Sequence, residues 1–241
     1  MPNIFVFSEG SIHKYFKKSL DTNAVGIKII SIQSSFQPHR AKKELFPEVD
    51  KWNILQLSFD DFVPDYANFI SNLDLSPFKS LFSLRSKDDL IKEEYEKTQW
   101  FIKNKITPCC FSPSHAEEIK SFALDNNMYY NSFGGKLLIH CYAGKSRSVA
   151  VAMALTTLFK KNKLQETARK EYKGCGEQFA GRNLEQIDFF NLNHQKTKIE
   201  HLGGKNVCVS ALTCSPNLFV LDVMFKQLSL YPSPAVNMNY Q

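Results

Sequence analysis

With 241 residues, 43% of them hydrophobic, the chain can bury one large core, and no linker or composition shift divides it. Its net charge of +6 favours acidic partners, but the basic residues are spread along the chain and form no recognisable nucleic-acid module. Apolar runs fall short of the roughly 20 residues that a membrane span needs, and the first residues lack a basic-then-apolar secretory pattern, so the expectation is a soluble cytoplasmic protein without integral membrane association.

Asn3 to Phe7 reads as a first strand, Ser11 to Leu20 as a short helix and Val25 to Ile32 as a second strand. The segment Trp52 to Phe62 predicts a third strand that ends in two adjacent carboxylates, Asp60 and Asp61. Ser86 to Lys103 carries opposite charges at helical spacing and predicts a helix with a solvated charged face. Ser112 and Pro113, followed by Glu117 and Glu118, supply an N-cap, an early proline and acidic residues for the start of another helix. Leu137 to Ile139, after Gly134-Gly135, is a short continuous apolar run of the kind buried in a parallel sheet. From Ser146 an Ala-rich stretch, basic at its end, predicts a long buried helix with cations at its negative pole. Gln165 to Tyr172 and Asn183 to Asn191 predict helices, Gly203-Gly204-Lys205 a turn and Val207 to Val209 a short strand. Ser215-Pro216-Asn217 opens a last helix over Leu218 to Leu230, and the tail 231–241 reads as loose. Strands alternating with helices predict an α/β fold: a mostly parallel central sheet flanked by helices on both sides, in one domain over 1–230.

The segment with chemical content is Ile139-His140-Cys141-Tyr142-Ala143-Gly144-Lys145-Ser146-Arg147-Ser148, which joins a strand end to a helix start. Backbone N–H groups at such a start have no helical partners, and the helix dipole adds positive potential, so the amides of Tyr142 to Arg147 suit a bound dianion. A thiol at the mouth of that field loses its proton more readily than the free value of about 8.5 implies, which makes Cys141 a thiolate nucleophile. The planar fork of Arg147 matches two equatorial phosphate oxygens. Gly144 allows the positive φ or close backbone approach that the cradle needs. Departure of a leaving group needs a proton from a carboxylic acid on a separate loop, and Asp60 and Asp61 stand at a strand end, where ligands gather in open α/β sheets.

His140-Cys141-x5-Arg147-Ser148 resembles the signature of the cysteine-dependent protein tyrosine phosphatase superfamily, closest to its dual-specificity branch. The resemblance implies that His140 orients the loop and lowers the thiol pKa, and that the Ser148 hydroxyl assists departure of the thiolate from a phosphocysteine intermediate. The stretch Leu57 to Phe62 is similar to a pattern in a group of microbial tyrosine phosphatases, as are the helix from Ser112 and the Pro216-Asn217 entry. That similarity selects Asp61 as general acid, with Asp60 as its neighbour. Asp61 precedes Cys141 by 80 positions, where compact dual-specificity enzymes have a few tens, so an insertion is expected around 63–113.

The implied activity is hydrolysis of phosphate monoesters on proteins, phosphotyrosine first and phosphoserine or phosphothreonine after it. Lys145 occupies a loop position where the superfamily's phosphoinositide phosphatases carry a lysine, so an inositol lipid or an RNA 5′-phosphate is the rival substrate. Tyr142 stands where those enzymes have a second basic residue. A phosphate-binding module without turnover is the alternative from a different class. The six cysteines show no regular spacing and read as reduced thiols, Cys109-Cys110 as small buried hydrophobes. His194, His201, Cys208 and Cys214 match no tight zinc knuckle, and neither metal nor cofactor is expected.

Overall fold

The computed structural model of the chain describes residues 3–18, 26–37, 46, 49–74, 86–125, 135–166, 198–199, 207–208 and 216–231. Four parallel strands form its main sheet: β1 (Asn3–Ser8), β2 (Ile27–Gln33), β3 (Ile54–Ser58) and β4 (Lys136–Cys141), in the order β1-β4-β2-β3. The helices are α1 (Glu9–Lys18), α2 (Tyr66–Asn72), α3 (Lys87–Lys103), α4 (Pro113–Leu124), α5 (Arg147–Glu166) and α6 (Leu218–Gln227). Two short strands, β5 (Lys198–Ile199) and β6 (Val207–Cys208), pair antiparallel, so the expected strand at Val207 is present.

Both faces of the sheet are buried, which explains why its strands are mostly apolar on both sides, with few polar residues such as Lys28 and Ser31 among them. Ile30, Ile32, Leu137, Ile139 and Cys141 face a core built with α4, α5 and α6. Phe5, Phe7, Ile27, Ile29 and Leu138 face the other way, against Ile12 of α1 and against Phe46. The α/β architecture with helices on both sides is therefore observed. Strand β4 is interior, bonded to β1 and β2, and its register sets Cys141 opposite Ser8 and His140 between Phe7 and Ser31.

Capping chemistry explains the helix limits. Ser86 and Ser112 each close a capping box, with Asp89 and His115 respectively. The last helix stops at Gln227, earlier than the apolar run to Leu230 suggests. Ser229 turns left-handed at φ 52°, its N–H bonds the Lys226 carbonyl, and the Leu230 N–H bonds that of Phe225. This is a Schellman closure formed without the glycine that usually signals it. Lys28, buried in β2, donates to the Phe122 carbonyl at 2.8 Å and to Asp125 Oδ2 at 3.0 Å, at the negative end of α4.

After β3 the chain makes a long excursion that returns to its starting point. Asp60 N–H donates to the Cys109 carbonyl at 2.8 Å, and Cys109 N–H donates back to Asp60 Oδ2 at the same distance. Helices α2 and α3 lie within that excursion and the expected insertion. The helices expected over Gln165–Tyr172, beyond Glu166, and over Asn183–Asn191 lie outside the described residues, as do the turn at Gly203 and all of the tail after Tyr231.

Candidate active site

The loop from Tyr142 to Ser146 leaves the carboxyl end of the interior strand and turns into α5, so strand, loop and helix follow the expected order. Its path is fixed by close packing on β1. Gly144 has φ +69°, and a Cβ there would stand 2.5 Å from the Ser8 nitrogen and 2.6 Å from the Phe7 carbonyl carbon, so only glycine fits. The Glu9 N–H bonds the Tyr142 carbonyl at 3.2 Å, a second tie to the end of β1. The first helical bond of α5 runs from Ala150 N–H to the Ser146 carbonyl, so the amides of Arg147, Ser148 and Val149 precede the helical ladder.

Cys141 is the last residue of β4 and packs in the core beneath α5. It is 2% exposed, and its Sγ shares a hydrogen bond with Ser148 Oγ at 3.2 Å. Arg147 is also buried, and its Nη1 donates to the Phe59 carbonyl at 2.6 Å, at the carboxyl end of β3. Its guanidinium thus bridges the loop to the strand that carries the two carboxylates. Tyr142, Ala143 and Lys145 are exposed on the rim.

Neighbouring carboxylates have opposite surroundings. Asp60 is buried and accepts from Ser35 N–H at 2.9 Å, from the Ser35 hydroxyl and from Cys109 N–H, which makes it the clasp between the end of β2, the end of β3 and the returning excursion. Asp61 is half-buried and turns toward the loop. Its Oδ1 accepts from Ser146 Oγ at 2.7 Å and from Asn217 Nδ2 at 2.8 Å, while its Oδ2 lies 3.9 Å from Lys97 Nζ. Asp61 rather than Asp60 thus lies against the loop, joined to it through Ser146.

Three contributors were not legible in the sequence. Asn217 uses its side-chain oxygen to cap α6 at Val220 N–H, 2.9 Å, and its amide nitrogen to hold Asp61. The sequence signals were its N-cap position and the similarity of the Pro216-Asn217 entry, and neither pointed to Asp61. Lys97 belongs to the helix expected to expose its charges; it instead reaches Glu94 at 2.7 Å, Glu93 at 3.2 Å and Asp61. Burial works against the charge of Lys97, but Asp61, Glu94 and Glu93 outweigh it, and its pKa stands above the ordinary lysine value. Burial pushes the Glu94 carboxyl up to about 7, against the pull of Lys97 and with help from Asp61 and Glu93. The third is the Phe59 carbonyl that holds Arg147, a backbone group that side-chain motifs do not disclose.

His140 lies on the opposite face of β4 from Cys141, edge-on to the Phe46 ring at 5.5 Å. Burial, with His13 and Arg147 nearby, lowers its pKa to about 3, so the imidazole is neutral. Neither ring nitrogen meets a hydrogen-bond partner among the described residues. Its contribution to the loop is therefore the packing of an uncharged ring beneath the strand, without a hydrogen bond to the cradle. No established protein family matches this chain, and no curated protein is similar enough to count as a relative. Among the described residues no helix is long and apolar enough to cross a membrane.

Proposed function

We propose that the protein is a phosphatase that hydrolyses phosphate monoesters on proteins through a phosphocysteine intermediate, with phosphotyrosine as the first substrate class. The observation that carries this is the hydrogen bond from Ser146 Oγ to Asp61 Oδ1, 2.7 Å, which joins a carboxyl from the end of β3 to the loop holding Cys141 and Arg147. Cys141 and Arg147 belong to one strand-loop-helix segment, and this bond brings to it an acid from a second segment, which supports the positioning that phosphoryl transfer needs.

In this scheme Cys141 Sγ attacks phosphorus in line and the P–O bond to the leaving group breaks. Arg147 and the loop amides hold the three equatorial oxygens. Asp61 gives its proton to the departing oxygen; because Oδ1 is fixed by two donors, Oδ2 is the oxygen that carries it. Water then attacks phosphorus, Asp61 takes its proton back, and Ser148 Oγ, already 3.2 Å from the sulfur, donates to the thiolate as it leaves.

The near-complete burial of Cys141 is the specific observation in favour of a second reading, a phosphate-binding module that does not turn over. Lys145, exposed on the rim, keeps an inositol lipid or an RNA 5′-phosphate as rival substrates for an active enzyme. Turnover of para-nitrophenyl phosphate separates these. The wild-type chain is expected to hydrolyse it and Cys141→Ser to lose at least ~10⁴-fold in kcat. Equal rates in the two proteins would sink the covalent mechanism.

A further inference from the structure

The chain has two tryptophans, both exposed, and their surroundings differ. Trp52 carries its own cation, since Lys51 Nζ stands 4.7 Å from the ring centroid. Trp100, 46% exposed on α3, has no cation over its ring among the described residues. It lines instead an open pocket of about 410 Å³, together with Phe36, Phe101, Asp61, Glu96 and Lys97. The Phe36 and Trp100 rings meet at 5.5 Å and 51°, and the buried Phe101 ring stands edge-on to both, 6.3 Å from Phe36 and 5.2 Å from Trp100. Phe36 is 43% exposed, so two of the three rings present their surface to solvent instead of filling the core.

The charged members of the lining are unequal. Lys97 is committed within the fold, 2.7 Å from Glu94, 3.2 Å from Glu93 and 3.9 Å from Asp61. Glu96 is exposed and has no ion pair or side-chain hydrogen bond among the described residues. It precedes Trp100 by four positions on α3, a spacing that sets its carboxylate beside the indole on the exposed side of the helix. With Asp61 as a second carboxylate, the lining is net acidic. The +6 of the whole chain does not cancel this, because charges more than ~10 Å away are largely screened at 0.1 M salt.

An open aromatic face next to an unpaired carboxylate suits a cation that is also planar. We infer that this pocket binds an arginine side chain of a partner polypeptide, with the guanidinium stacked on Trp100 and paired with the Glu96 carboxylate. A lysine ammonium makes the ion pair without the planar stacking, and a neutral ring stacks but leaves Glu96 unpaired. The openness of the site selects the source of the cation. Small-molecule sites enclose ~70–90% of their ligand's surface, whereas a pocket open to solvent grips one side chain that a larger partner presents. The inference concerns binding alone and stands apart from phosphoryl transfer at Cys141.

The two tryptophans supply the test. Their indole N–H signals are followed by NMR in the full chain, labelled with ¹⁵N, and assigned with Trp52→Phe. The probes are capped five-residue glycine peptides with arginine, citrulline or lysine at the centre. The arginine peptide is expected to shift the Trp100 signal saturably and to leave that of Trp52, 75% exposed and already covered by Lys51, in place. Citrulline, which keeps the shape and loses the charge, should bind at least ~10-fold more weakly, and lysine at least ~3-fold more weakly. Glu96→Gln, a surface change outside the core, should raise Kd for the arginine peptide ~5-fold. Equal Kd values for arginine and citrulline, lysine binding as tightly as arginine, or an unchanged Kd in Glu96→Gln would each overturn the assignment, as would parallel shifts of both indoles. None of these readouts depends on turnover, so a chain that hydrolyses no ester leaves the inference untouched.

Discussion

The two halves of the site are built differently. One half is consecutive: Cys141, the loop, Arg147 and Ser148 follow each other from β4 into α5, and the geometry of that half is a property of local backbone pinned at Gly144. The other half is assembled: Asp61 is held by Ser146, Asn217 and Lys97, which come from the loop, the cap of α6 and the excursion helix. A consecutive half tolerates distant change and fails by steric violation. An assembled half depends on several packing contacts and on a balance of charge, so it is the part that mutation and pH should tune.

The largest contrast should come from the adjacent carboxylates. Asp61→Asn is expected to lower kcat ~10³-fold with little loss of stability, because the amide keeps the size and most of the contacts but cannot deliver the proton. Asp60→Ala should do the reverse in kind, costing about 3 kcal/mol in urea denaturation, since three part-buried donors lose their acceptor. If the catalytic loss followed Asp60→Asn instead, the roles assigned to the two neighbours would be exchanged.

Gly144→Ala probes the consecutive half. A Cβ at 2.5 Å from backbone, with φ at +69°, forces the loop away from β1, for an expected ~10²-fold loss in kcat/KM and about 1–3 kcal/mol in stability. An alanine variant with wild-type kinetics would show that the loop has slack the close packing denies. Asn217→Ala probes the assembled half more gently. It removes the cap of α6, about 1 kcal/mol, and one of two donors to Asp61 Oδ1, for a loss of roughly tenfold in kcat. Substituting Asp at 217 separates these effects, because it keeps the cap and puts a second carboxylate beside Asp61.

The smallest effect is in pH. Glu94, raised from 4.5 to about 7, holds a proton in the folded state that it releases in the unfolded chain, so its contribution makes stability fall as pH rises through that window. His140, lowered from 6.5 to about 3, is neutral when folded and charged when unfolded, so its contribution makes stability rise over the range between those values. The slopes oppose one another between about pH 4.5 and 6.5. Glu94→Gln should leave the upward slope alone, visible as urea midpoints that climb more steeply from pH 5 to pH 6.5 than in wild type. Parallel profiles would mean that Glu94 does not carry the buried proton.

The helix at Tyr66–Asn72 and the strand at Lys198–Ile199 were not read from the sequence, whereas the parallel α/β class, the four main strands and the strand-loop-helix around Cys141 were determined by the sequence alone. Each rests on information local in the chain: apolar runs of strand length, Ser86 and Ser112 caps, a glycine where only glycine fits, an Ala-rich helix with no polar face to expose. The resemblance singled out Asp61, but only the tertiary structure decided what each carboxylate touches, since Asp60 and Asp61 differ by one position and their spacing cannot say which side chain meets Ser35 and which meets Ser146. It also decided that Asn217, 156 positions from Asp61, completes the site, and that Lys97 turns inward where helical charge spacing suggested a solvated face. The physical reason is the same in each case. Hydrogen bonds within a turn of chain are fixed by backbone geometry, whereas contacts between distant segments follow from which faces pack, and packing is settled by the whole core together.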